Sequence, residues 1–167
     1  MIIEQISAGQ IFTDEEVYWF FFSLIAVICV ISFLFGSSIA SFLGVAAERP
    51  LRQESLNGRS HCVCGRKLSW HENIPVFGWL KARGKAKCCG STIPKRYVIS
   101  EAALGLTYAA VGPVVMLSLL GVAPWQWGQN QLAVALTLSA AVIVGSTVIT
   151  FLALRNLSRE SLTISEK

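Results

Sequence analysis

The sequence is poor in charged residues, which make up 14% of its 167 residues. Soluble domains usually carry about 25% charged residues, so the chain does not have the composition of a soluble domain. Three stretches, residues 17–45, 102–122 and 132–154, contain no Asp, Glu, Lys, Arg or His. Each reaches or exceeds the roughly 20 apolar residues that cross a bilayer. The sequence therefore predicts three transmembrane helices.

Basic residues are absent before the first apolar stretch, where a cleaved signal peptide requires them. The residues before Val17 instead include Glu4, Asp14, Glu15 and Glu16. The stretch is also longer than the apolar core of a signal peptide. We therefore interpret it as a membrane-spanning helix.

The 14 basic residues lie in two parts of the chain, eleven in residues 49–96 and three in residues 155–167. Because basic loops stay in the cytoplasm, both parts are predicted to be cytoplasmic. The predicted segments are a periplasmic segment (1–16), a helix (17–48), a cytoplasmic domain (49–100), a helix (101–123), a periplasmic turn (124–131), a helix (132–154) and a cytoplasmic tail (155–167). The basic loop is expected to contact anionic lipid headgroups rather than nucleic acid.

Four of the five cysteines lie in the basic loop: Cys62, Cys64, Cys88 and Cys89. Cytosolic thiols stay reduced, so clustered cysteines there indicate a metal site rather than disulfides. The fifth, Cys29, lies in the first apolar stretch and is expected to pack as a small side chain. The predicted fold is therefore a membrane all-α protein with three transmembrane helices and a small zinc-ribbon-like loop between the first two.

The spacing of these cysteines leaves the ligand set open. A zinc ribbon uses two Cys-x-x-Cys-Gly knuckles, and both Cys64-Gly65 and Cys89-Gly90 match the second half of one. The residue three before Cys64 is His61, whereas the residue three before Cys89 is Ala86. A site built from the four loop cysteines is one interpretation, with His61 or His71 as a substitute ligand. The other is a ribbon without metal, held together by its apolar residues.

Small residues recur along one face of the first predicted helix. Gly36, Ala40 and Gly44 are spaced four apart, so they share a face. Such a face lets another helix backbone approach closely. We expect it to pack against the other helices of the same chain rather than against another subunit.

Two stretches of the sequence resemble the N-terminal half of the bacterial type IV prepilin peptidases, which cut and N-methylate prepilins. In the first stretch, residues 40–50, the matching positions are Ser41, Phe42, Leu43, Val45 and Arg49. In the second, residues 70–101, they are Trp70, Asn73, Ile74, Pro75, Trp79, Leu80, Arg83, Gly84, Cys89, Gly90, Ile93, Arg96, Tyr97 and Glu101. The resemblance implies a multi-pass protein of the bacterial inner membrane.

The departures from the family bear on activity. The family's four metal-ligand positions read His61, Cys64, Ala86 and Cys89 here. The family's peptidase also uses two membrane-level aspartates, and the single Asp of this sequence is Asp14. Because an aspartyl protease needs two carboxylates that share a proton, no catalytic residue is predicted. Glu101 is expected to cap the start of the second helix.

Three functions follow from these patterns. The first is a non-catalytic accessory or scaffold subunit that acts through other integral membrane proteins. The second is one half of a split peptidase and methyltransferase, which positions prepilin for a separate aspartate-bearing chain. The third is a surviving methyltransferase, which the lack of a glycine-rich nucleotide motif disfavours.

Overall fold

The structure is a computed structural model that describes residues 14–119 and 129–165. Its helices are α1 (Asp14–Glu48), α2 (Phe77–Ala82), α3 (Lys95–Leu119) and α4 (Gln129–Ser165). The helices α1, α3 and α4 are each long and apolar enough to cross a membrane, as the sequence predicts. Most of the predicted segment 1–16 and of the predicted turn 124–131 lies outside the described residues.

The helices extend beyond the apolar stretches that identify them. Helix α3 begins at Lys95 rather than at residue 101, directly after Pro94. Helix α4 begins at Gln129 and runs through the predicted tail to Ser165. Hydropathy marks only the part of a helix that suits lipid, whereas the backbone hydrogen bonds continue through polar residues that favour helix.

The helices α1 and α3 pack closely along the face of small residues. Gly36 lies against Tyr108 and the Leu104 carbonyl, and Gly44 lies against the Tyr97 ring. Ala40, Leu104 and Tyr108 are the buried residues at the centre of this contact. The Tyr108 hydroxyl is 3.2 Å from the Thr147 hydroxyl and so joins α4 to the pair. The small residues thus pack within the chain.

The segment between α1 and α3, residues 49–94, is hereafter the ribbon. It contains two 3₁₀ turns, Arg49–Arg52 and Trp70–Glu72, the short helix α2 and two isolated β-bridges. Arg49 is buried, and its guanidinium donates to the carbonyls of Ser55 and Leu56, both at 3.1 Å. This arginine therefore fixes the connector that leaves α1.

The two ends of the ribbon meet where α1 ends and α3 begins. The Tyr97 hydroxyl donates a hydrogen bond to the Glu48 carboxylate. The Arg96 guanidinium lies 3.6 Å from the same carboxylate and 5.2 Å from the centre of the Tyr97 ring. These three residues, Glu48, Arg96 and Tyr97, are hereafter the junction.

Candidate metal centre

Two hairpins of the ribbon carry the four loop cysteines. In the first, the Cys62 N–H donates to the Arg66 carbonyl at 2.8 Å, and a β-bridge joins His61 to Lys67. The turn between them contains Gly65, whose φ of 83° is the left-handed conformation that glycine adopts at little cost. The sequence Cys64-Gly65 therefore turns the chain tightly after a cysteine, as in a zinc knuckle.

The second hairpin repeats this arrangement. The Ala86 N–H donates to the Ser91 carbonyl at 2.8 Å, and a β-bridge joins Lys85 to Thr92. Gly90 turns the chain with a φ of 72°. Because the hairpins face each other, their cysteines meet.

The four sulfur atoms of Cys62, Cys64, Cys88 and Cys89 all lie within 4.8 Å of one another. The Sγ–Sγ distance is 3.6 Å for Cys62 and Cys89 and 3.4 Å for Cys64 and Cys88. Tetrahedral Zn²⁺ with Zn–S bonds of about 2.3 Å holds its sulfurs about 3.8 Å apart. The four thiols are therefore close enough together for one metal ion to bind them all.

The histidines considered as substitute ligands have other neighbours. The His61 Nε2 lies 4.0 Å from a Glu54 carboxylate oxygen, and the His71 Nε2 lies 3.1 Å from the Ser69 hydroxyl. Ala86 is 9% exposed and offers no ligand. Among the described residues, the side chains that lie close enough together to bind one metal ion are all cysteines.

Arg66 sets the charge beside this cluster. Its guanidinium donates to the Glu72 carboxylate at 2.7 Å, and together with Ser69 it lowers the pKa of Glu72 to about 2. Arg66 also hydrogen-bonds to Cys88 and lowers the pKa of that thiol. A cation and an acid that is ionised at neutral pH therefore lie beside the sulfurs.

The thiols differ in how readily they lose a proton. Hydrogen bonds from Ser91 lower the pKa of Cys89. A hydrogen bond with the Arg66 backbone lowers the pKa of Cys64, but the neighbouring thiols outweigh it and raise that pKa to about 11. Because zinc binds thiolates, a bound ion would displace the proton that Cys64 retains.

Glu101 has a role that differs from the predicted helix cap. Helix α3 begins at Lys95, so Glu101 lies in its second turn, and its side chain is buried. Its carboxyl oxygen accepts the Val76 N–H at 2.7 Å and hydrogen-bonds to Ser41 of α1. The prediction of a cap was wrong because hydropathy placed the helix start six residues too late.

The turn that Glu101 holds is strained. Val76 has a φ of 63° and a ψ of −55°, and the Phe77 N–H donates to the Pro75 carbonyl at 2.6 Å. This geometry is a γ-turn with positive φ, which is rare and costly for a β-branched residue. No sequence signal marks it, since valine is among the residues least suited to this conformation.

Replacing Glu101 with alanine should loosen this turn. A hydrogen bond to a charged group is worth about 2 kcal/mol. The γ-turn is too unstable on its own to compensate for the loss of this bond. We expect faster proteolysis of the ribbon near Val76 in Glu101→Ala, while Glu101→Gln, which keeps an acceptor oxygen, changes less. Equal cleavage of Glu101→Ala and the unsubstituted protein would show that the carboxyl does not hold the turn.

The part of the chain that includes the ribbon is similar to known proteins. Residues 34–114 match the family model of the bacterial Peptidase A24 N-terminal domain. A prepilin leader peptidase/N-methyltransferase of Myxococcus xanthus is 38% identical over 104 residues, which are 54% of this chain and 31% of that protein. The protein of the same name in Klebsiella pneumoniae is 36% identical over 91 residues, which are 48% of this chain and 40% of that protein. No solved structure matches.

The matched region covers the C-terminal part of α1, the ribbon and most of α3. The chain spans less than half the length of these curated relatives. The three apolar helices and the matched domain together indicate an inner-membrane protein. Residues 34–114 are therefore similar to the N-terminal domain of the bacterial A24 peptidases.

Proposed function

We propose that this chain is a non-catalytic subunit of a larger membrane complex, in which the ribbon presents a binding surface to other integral membrane proteins. The observation that supports this most strongly is the lack of a carboxylate pair. The sequence has a single aspartate, Asp14, which precedes the first apolar stretch. Aspartyl proteolysis needs two carboxylates that share a proton.

The glutamates where the ribbon joins the long helices have structural partners instead. Glu48 pairs with Arg52 at 2.6 Å and accepts the Tyr97 hydroxyl. Glu101 is buried and accepts the Val76 N–H. Each carboxyl therefore has a structural partner that stabilises the ribbon.

Zinc is the metal ion that we propose the four cysteines bind. Thiolates are soft ligands, and four of them in tetrahedral arrangement favour zinc over harder cations such as magnesium or calcium. An ion bound by all four sulfurs would leave no position for a substrate or a water, as in structural sites. The proposed metal therefore braces the ribbon.

The basic residues of the ribbon support the proposed orientation. Eleven of the 14 basic residues lie in residues 49–96, and such loops remain in the cytoplasm. The ribbon and the end of α4 would then face the cytoplasm, and the start of α1 would face the periplasm. Anionic lipid headgroups would lie beside the ribbon.

A split enzyme is the second candidate, and one exposed residue favours it. Trp70, in the stretch that resembles the prepilin peptidases, is 74% exposed, so packing within the chain does not explain a tryptophan there. The named relatives are prepilin leader peptidases. In this reading, the ribbon positions a prepilin for a chain that brings both aspartates.

Co-purification tests both candidates. The full chain would be purified in mild detergent from its own cells, and the associated proteins would be identified by mass spectrometry. A stoichiometric set of other membrane subunits would support the accessory role, while a stoichiometric aspartate-bearing membrane chain would support the split enzyme. A Trp70→Ala variant should lose the partner if the ribbon surface binds it. Recovery of the chain alone would count against both.

A further inference from the structure

A cavity of about 410 Å³ lies where the ribbon meets the ends of α1 and α3. Apolar side chains form part of its wall, among them Val45, Ile74 and Trp79. Charged side chains from every neighbouring element complete the wall. The partners of these charges indicate what the cavity can bind.

The acids in the wall are already engaged. Glu48 pairs with Arg52 and accepts the Tyr97 hydroxyl. Glu72 accepts from Arg66 at 2.7 Å. Glu101 accepts the Val76 N–H. The lining carboxylate without such a bond is Glu54, which lies 4.0 Å from His61.

Several cations in the wall are not engaged in this way. Arg96 has a buried Nε without a hydrogen-bond partner, and its distance to the Glu48 carboxylate, 3.6 Å, is long for a hydrogen bond. Lys81 and Lys87 also line the cavity, and neither forms an ion pair with another described residue. The cavity therefore has positive charge and donors that the protein itself does not satisfy.

The Arg96 side chain lines the cavity and lies 3.6 Å from its carboxylate partner, Glu48, so its guanidinium can also donate to a ligand oxygen. Arginine and lysine donors suit the oxygens of a phosphate group. The apolar wall suits a ligand whose phosphate is attached to a less polar body. Because the ends of two membrane-spanning helices border the cavity, a lipid headgroup can reach it from the bilayer.

We propose that this cavity is a binding site for an anion that carries a phosphate group, with Arg96, Lys81 and Lys87 as the residues that recognise it. A phospholipid headgroup and a soluble phosphate compound share this chemistry. Cys62 also lines the cavity, so the site borders the four cysteines, but it does not depend on the proposed subunit role.

Native mass spectrometry of the full, delipidated chain in detergent tests the site. The probes are dioleoylphosphatidylglycerol, which carries a net negative charge, dioleoylphosphatidylcholine, which does not, and inorganic phosphate. We expect one phosphatidylglycerol per chain, bound about tenfold more tightly than phosphatidylcholine. The double variant Lys81→Gln/Lys87→Gln should weaken this binding by about tenfold or more, since each lysine supplies a charged hydrogen bond to the phosphate.

The matched control is Lys67→Gln/Lys85→Gln, which removes the same two charges from ribbon lysines that do not line the cavity. It should leave the affinity within about twofold, because an exposed charge outside the site contributes little. If inorganic phosphate binds with the same dependence on Lys81 and Lys87 and the lipids show no preference, the ligand is a soluble phosphate compound. Equal loss in the control, or no anion binding at all, would overturn the proposal.

Discussion

Replacing Cys62 with serine should remove the metal from the protein. The unsubstituted chain is expected to carry about one zinc ion, and Cys62→Ser less than about 0.2, because a structural site loses most of its affinity with one of four thiolates. Cys62 is the buried member of the cluster, 8% exposed, and its sulfur is 3.6 Å from that of Cys89. Metal content of the purified protein, measured by inductively coupled plasma mass spectrometry, gives the result directly.

Two further variants make this measurement decisive. Cys29→Ser changes the one cysteine outside the cluster, in α1, and should retain the ion. His61→Ala should also retain it, since the sulfurs meet without a histidine. Loss of zinc from His61→Ala would show that the ligands follow the family positions instead. If the unsubstituted protein binds no metal, the ribbon is held together by its packing alone.

Introducing leucine at Gly36 should severely destabilise the helix bundle. A Cβ atom at this position would lie 2.8 Å from the Cβ and Cγ of Tyr108 and 2.9 Å from the Leu104 carbonyl oxygen. One of these contacts is with backbone, so α1 and α3 must move apart. Overpacking of this kind costs about 3 kcal/mol, which corresponds to a fall of about 10 °C in Tm for a chain of this size. Thermal unfolding in detergent measures it.

The control for this variant is Gly145→Leu. Gly145 lies in α4, and a Cβ atom there meets no other atom within 4 Å. The same substitution should change the Tm by less than about 2 °C, because the added side chain enters open space. Similar losses in both variants would show that the effect comes from the substitution itself and not from the α1–α3 contact.

The membrane-spanning parts of the fold were predictable because bilayer thickness requires long apolar stretches. The helix ends were not, since polar residues such as Lys95 and Arg96 continue a helix as well as apolar ones do. This error also moved Glu101 from the interior of α3 to its start. Because the predicted start of α3 was six residues too late, the contact between Glu101 and Val76 could not be predicted.

The four loop cysteines were predicted as one possible ligand set, and their sulfurs do lie together, but the spacing alone left His61 and His71 open as substitutes. Knuckle spacing matched His61 and Ala86 to the family ligand positions, whereas the sulfurs that meet include those of Cys62, next to His61, and Cys88, two residues after Ala86. The choice depends on how each hairpin directs its side chains: the adjacent Cys88 and Cys89 both reach the cluster, whereas His61 lies beside Glu54. Spacing counts residues and cannot supply that direction.

The contact between Glu48 and Tyr97 in the junction has a consequence for the evolution of such a protein. These residues are 49 positions apart in sequence, yet their side chains are hydrogen-bonded. The ribbon thus leaves and re-enters the membrane part at nearly one point, like a domain inserted into a helical hairpin. It can be exchanged as a unit: a ribbon from a relative, grafted between these two positions, should leave the packing of α1 against α3 undisturbed.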